Sequence, residues 1–138
     1  MRFCYRHFGQ GVLRPVIPIT VEHGDRSVTY EVLLNSAADI NVFDSEIGWL
    51  LGLDVTAGTR QVVAGIAGQT AVAFSHHLTL SVGGWRFLAE VAFIPRPAGE
   101  SVPGVLGGRG FFDRFLVKFD RAAEEIDLRP RIGPETRL

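Results

Sequence analysis

The chain has 138 residues, 46% of them apolar and 21% charged, with a formal net charge of −1; that suits one domain with a buried core and is short for a two-lobed enzyme. So small a net charge gives no broad field to attract nucleic acid or an anionic membrane, and no run approaches the roughly 20 apolar residues of a membrane-spanning helix. Residues 1–10 lack the apolar stretch of a secretory signal, and the single Cys4 cannot form an internal disulfide, so the composition points to a soluble, cytoplasmic protein with no membrane or nucleic-acid partner.

Sixteen glycines and seven prolines separate short apolar runs, the pattern of an all-β domain. Residues 16–21 and 27–34 flank a polar turn at 22–26 and read as a hairpin. In the second run Val28, Tyr30, Val32 and Leu34 alternate with polar residues and define one apolar face. Pro15 and Pro18 place the first strand at an edge or leave it partly paired. Residues 44–52 predict a short helix, with Asp44 or Ser45 capping its start, Gly52 its end, and Gly48 weakening it. Strands follow at 61–64 and 70–74 around the tip Gly65-Ile66-Ala67-Gly68. A second hairpin joins 78–82 to 85–94 through Gly83-Gly84 and is ended by Pro95 and Pro97. Residues 115–119 and 125–128 are the last strands, so one domain spans residues 1–128 and residues 129–138 are a loose tail.

The run Val32-Leu33-Leu34-Asn35-Ser36-Ala37-Ala38-Asp39-Ile40 leads an apolar strand into a turn of small polar residues. It resembles the active-site turn of retroviral-type (retropepsin-like) aspartic proteases, which reads apolar-apolar-Asp-Thr/Ser-Gly-Ala-Asp. Two further segments match that family in order. Val63-Ala64-Gly65-Ile66-Ala67-Gly68-Gln69 falls where the family keeps its flap. Residues 104–115 look like its apolar-apolar-Gly segment, which packs beside the catalytic turn and leads into a short helix. The resemblance covers residues 16–128.

It implies an all-β acid-protease barrel with one or two short helices and an active site on a homodimer two-fold. Asn35 stands where the catalytic Asp is expected, Ser36 at the hydroxyl position that bonds between subunits, and Ala37 in place of the customary Gly. Asp39, the flap residues Gly65, Ile66, Ala67 and Gly68, and Leu106 fall at substrate-binding positions. Gly108 occupies the place where retroviral members carry an Arg, with Arg109 one position later, so the ion pair of that Arg with Asp39 is in doubt.

Such an enzyme holds a water between two carboxylates that share a proton, one acting as base and the other as acid. A chain with one turn reaches this by pairing two copies. The implied function is an aspartic endopeptidase acting on a peptide or protein, inactive in this form because Asn35 lacks the carboxylate. The sequence leaves open whether Asn35 is natural or was introduced. The alternatives are a pseudo-protease serving as a peptide-binding or dimerisation module, and a small β-barrel interaction domain.

Other residues have plainer readings. His76 and His77 are neighbours on a strand and point to opposite faces, while His7 and His23 are isolated, so no metal is expected. Neither glycine-rich segment has the Lys-Ser/Thr of a phosphate loop or a βαβ setting, so no cofactor is expected. Phe111, Phe112, Phe115 and Phe119 read as core and interface packing, and Asp44 and Glu46 as helix-start charges.

Overall fold

The computed structural model describes residues 1–65, 68–95 and 103–131. Its strands are β1 (Arg2–Cys4), β2 (Arg6–His7), β3 (Leu13–Arg14), β4 (Val16–His23), β5 (Arg26–Leu34) and β6 (Asn41–Asp44), then β7 (Thr59–Ala64), β8 (Thr70–Val82), β9 (Trp85–Ile94), β10 (Gly104–Leu106), β11 (Phe115–Asp120) and β12 (Glu125–Pro130). Helix α1 (Ser45–Leu50) and a 3-10 turn (Val55–Ala57) lie between β6 and β7. Among the described residues no helix is long and apolar enough to cross a membrane.

The main sheet runs β4-β5-β10-β6-β9-β8-β7, and β4 also pairs with β8. That extra pairing, from Thr20↔Ser81 to Glu22↔Thr79, closes six strands into a barrel and leaves β7 as an outrigger on β8. Closure removes the exposed edges of an open sheet. Pro18 lies outside the stretch of β4 that reaches β8, so its missing N–H interrupts no closing bond. The expectation of a partly paired first strand therefore holds.

Period-two alternation fills the barrel. Ile17, Ile19 and Val21 of β4 point inward, as do Val32 and Leu34 of β5, Phe43 of β6 and Phe87, Val91 and Phe93 of β9, all buried. Each contributes on the order of 1.5–3 kcal/mol relative to exposure. Phe111 and Phe115 stack with centroids 4.8 Å apart, and Phe87 meets Phe115 edge-on at 5.2 Å. Phe112 packs at the margin of this cluster, whereas Phe119 stands 40% exposed.

Helix α1 forms where expected. Asp44 Oδ1 accepts the Glu46 N–H at 3.1 Å, satisfying one donor of the first turn, and Gly52 N–H donates to Trp49 O at 3.0 Å where it ends. Gly48 is required by packing, since a Cβ there would lie 2.6 Å from Val55 Cγ2. The helix thus rests directly on the 3-10 turn.

Three expectations are corrected. The predicted strands at 70–74 and 78–82 are one strand, β8, because β7 supports its first half and β9 its second. Residues 110–114 form turns instead of a short helix. Gly110 has φ +103°, and the Phe112 and Asp113 N–H groups donate to Gly107 O and Gly108 O, five residues back and both at 3.1 Å, in place of a helical ladder. Arg129 and Pro130 extend β12 into the span read as a tail, paired with Leu116 and Phe115 of β11. The unforeseen β1 lies on the other side of β12, with Arg2 opposite Asp127. Residues 132–138 lie outside the described residues.

Candidate active site

Strand β5 delivers Asn35 to a fixed place. At its end Leu34 N–H donates to Pro15 O at 2.9 Å, and Asn35 N–H donates to Leu106 O at 3.0 Å. The turn closes on Asn35 itself, whose Oδ1 accepts the Ala37 N–H at 3.0 Å and whose backbone O accepts the Ala38 N–H at 3.1 Å. A short polar side chain bonding the backbone two residues on is the turn-forming habit of Asn. Asn35 is half-buried, while Ser36 and Ala37 are exposed. Ala37 replaces glycine without strain, because Glu124 is the one non-glycine residue with positive φ among the described residues.

Strand β10 is wedged between β5, to which it runs parallel, and β6, to which it runs antiparallel. The chain after β10 then clamps the other arm of the turn. Gly108 N–H donates to Ala38 O and Arg109 N–H to Asp39 O, both at 2.8 Å. Gly107 admits this approach, since a Cβ there would stand 2.3 Å from Ile40 O.

Asn41 locks the arrangement. It is fully buried, its Oδ1 accepting Gly107 N–H at 2.9 Å and its Nδ2 donating to Glu90 O at 3.2 Å. A buried amide stays only when both its ends are bonded. The sequence reading missed this residue, although a lone amide in the apolar run Ile40-Asn41-Val42-Phe43 is a usable signal.

The groove beside the turn, of about 420 Å³, is lined by Ala37 to Ile40, Val42, Arg109 and Gln61 to Ala64 of β7. Its lining mixes polar and apolar surface about equally, with one carboxylate, one amide and one guanidinium among small and branched apolar side chains. Arg109 Nη2 pairs with Glu90 Oε1 at 3.3 Å, and among the described residues no ion pair reaches Asp39. The predicted doubt about an arginine on Asp39 is thus met by a different pairing. A larger hollow of about 580 Å³, between α1 and β8, is lined by Trp49, Val55, Phe74 and Phe93 among others and holds no part of the turn.

The hairpin β7–β8 projects beside the groove, and its tip is closed by Gly65 N–H to Gln69 O at 2.9 Å and Gly68 N–H to Gly65 O at 3.1 Å. Ile66 and Ala67 lie outside the described residues. Leu106 is corrected: its side chain is fully buried in the core, and only its carbonyl faces Asn35. It supports the turn through its backbone and cannot line the groove. His76 is half-buried with Nε2 2.7 Å from Val55 O, and His77 is exposed near Glu90.

No family model and no curated protein matches the chain. Solved structures do. A retropepsin-like aspartic protease from Rickettsia conorii superposes with a TM-score of 0.66 at 15% identity, over 94% of this chain and 98% of its own. EIAV protease in complex with an inhibitor superposes with a TM-score of 0.53 at 18% identity, over 74% of this chain and 88% of its own. The chain has the retropepsin-like acid-protease fold, as its sequence resemblance implied.

Proposed function

We propose that the chain is an aspartic endopeptidase of the retropepsin kind, assembled as a homodimer and held inactive by Asn35. The observation that supports this best is the turn itself: Asn35 is fixed between β5 and the Leu106 carbonyl, beside a groove flanked by a glycine-tipped hairpin. Two copies brought together at Ser36 and Ala37 put their position-35 side chains face to face. An aspartate there from each copy holds the water and shares one proton. Facing amides supply neither base nor acid. Asp39 and the hairpin tip, Gly65 to Gly68 with Ile66 and Ala67, bind the peptide in this reading. The exposed thiol of Cys4 accords with a reducing, cytoplasmic setting.

Asn35 itself favours a second reading, a pseudo-protease that binds peptides or dimerises without cutting. The Asn35→Asp variant separates the two. It is expected to keep the fold and the dimer and to gain pepstatin-sensitive cleavage of a diverse peptide library in mild acid. A folded, dimeric variant that cuts nothing over a broad pH range leaves the binding module standing.

A further inference from the structure

The chain has two asparagines, Asn35 and Asn41, and the fold treats them oppositely. Asn41 is fully buried with both ends of its amide bonded, and it is followed by β-branched Val42 in strand β6. Asn35 is half-buried in a turn and followed by exposed Ser36. Its Oδ1 is held by the Ala37 N–H at 3.0 Å. Among the described residues, neither the Asn35 side-chain NH2 nor the Ser36 backbone N–H has a hydrogen-bond partner.

In a copy not yet paired, before Ser36 enters the seam of the proposed dimer, these features favour attack by the next residue's backbone nitrogen. The Ala37 N–H polarises the Asn35 side-chain carbonyl, and among the described residues nothing bonds the attacking nitrogen or the leaving amide. We propose that Asn35 is a self-processing site, at which spontaneous deamidation converts the amide into the carboxylate that the protease reading requires.

The chemistry balances with water alone. Ser36 N loses its proton to solvent base and bonds to Asn35 Cγ. The Ala37 N–H steadies the negative charge that develops on Oδ1, as an oxyanion donor does. The bond from Cγ to Nδ2 breaks, ammonia departs with a proton from water, and a five-membered cyclic imide joins residues 35 and 36. Water then opens the ring. Cleavage between Cγ and the nitrogen restores the ordinary backbone and leaves an aspartate. Cleavage at the backbone carbonyl gives isoaspartate, which lengthens the main chain by a methylene and displaces the carboxylate. The net change is one water consumed and one ammonia released, with no oxidant or reductant. Ring closure begins with loss of a proton, so neutral to mildly alkaline solution speeds maturation, while the mature site works in mild acid. Age and pH history then set the active fraction.

The experiment ages the purified chain at physiological temperature in mildly acidic, neutral and mildly alkaline buffer. Peptide mapping follows the amide-to-acid mass gain at both asparagines, isoaspartate is counted by enzymatic methylation, and peptide cleavage is assayed alongside. Conversion at Asn35 is expected to be at least about tenfold faster than at Asn41, which reacts only after the core opens locally. It should accelerate with pH, and cleavage should grow with the aspartate fraction and not with isoaspartate. Asn35→Gln, whose longer side chain closes a larger ring reluctantly, stays unconverted and inactive.

No mass gain at Asn35, or a gain no faster than at Asn41, overturns the proposal. Freshly made Asn35→Asp protein keeps the two claims apart. If it cuts while aged, aspartate-containing protein does not, activation by deamidation is wrong. If neither cuts although conversion occurs, the protease reading fails and the chemistry at Asn35 remains.

Discussion

Two glycine-rich segments look alike in the sequence and are opposites in the fold. In Gly104 to Gly110, glycine answers crowding: a Cβ would stand 2.5 Å from the Phe43 ring at Gly104, 2.3 Å from Ile40 O at Gly107 and 2.6 Å from Asn41 Nδ2 at Gly110. At Gly68, on the hairpin tip, it answers backbone shape: φ is +82° and, among the described residues, nothing lies within 4 Å of a Cβ. A Cβ at Gly65 meets, among the described residues, the movable end of Gln69. The first segment is a fastening, the second a free end. Glycine content alone cannot tell them apart, because what differs is the neighbour supplied by distant chain.

Three substitutions put that contrast to the test. Gly107→Ala drives a methyl into the Ile40 and Ala38 carbonyls, which as backbone cannot step aside. It should cost on the order of 3 kcal/mol or more, or abolish folding, as read by urea denaturation; a loss near that of an ordinary surface change breaks the contrast. Asn41→Leu removes the acceptor of the Gly107 N–H and should cost about 2 kcal/mol, since a buried donor is left unmatched. It also loosens the clamp on Ala38 and Asp39, so hydrogen exchange at Gly108 and Arg109 should quicken. Gly68→Ala should cost only about 1 kcal/mol, the strain of a left-handed alanine. Its effect should appear as altered exchange at Gly65 and Gln69, with the barrel unchanged.

Much of the fold was legible because period-two alternation and turn residues are local signals. The hairpin of β4 and β5, the α1 cap at Asp44 and the Gly83-Gly84 turn all follow from neighbours in sequence. What escaped depends on distant partners. Arg2 to Cys4 carry no strong strand pattern and pair only because β12 offers an edge. The break read between residues 74 and 78 vanished because β9 takes over where β7 stops. Asn35 and its turn were readable as a motif. Asn41, which secures them, was hidden because a single polar residue in an apolar strand takes its meaning from Gly107 and Glu90, well removed in sequence. Leu106 was placed in the right segment, but which way its side chain points is decided by strand pleat.

Strand β8 has a mechanical consequence. Its pairing with β7 runs from Thr70 to Ser75, its pairing with β9 from Phe74 to Val82, and its seam with β4 lies at Thr79 to Ser81. The two supports overlap only at Phe74 and Ser75, where the Ser75 hydroxyl is also bonded by Gln61. The strand is therefore a lever with its fulcrum at that overlap, its longer arm fixed in the barrel wall and its shorter arm carrying the glycine tip. A push on the tip is resisted chiefly at Phe74 and Ser75, which sets the stiffness of the whole arm.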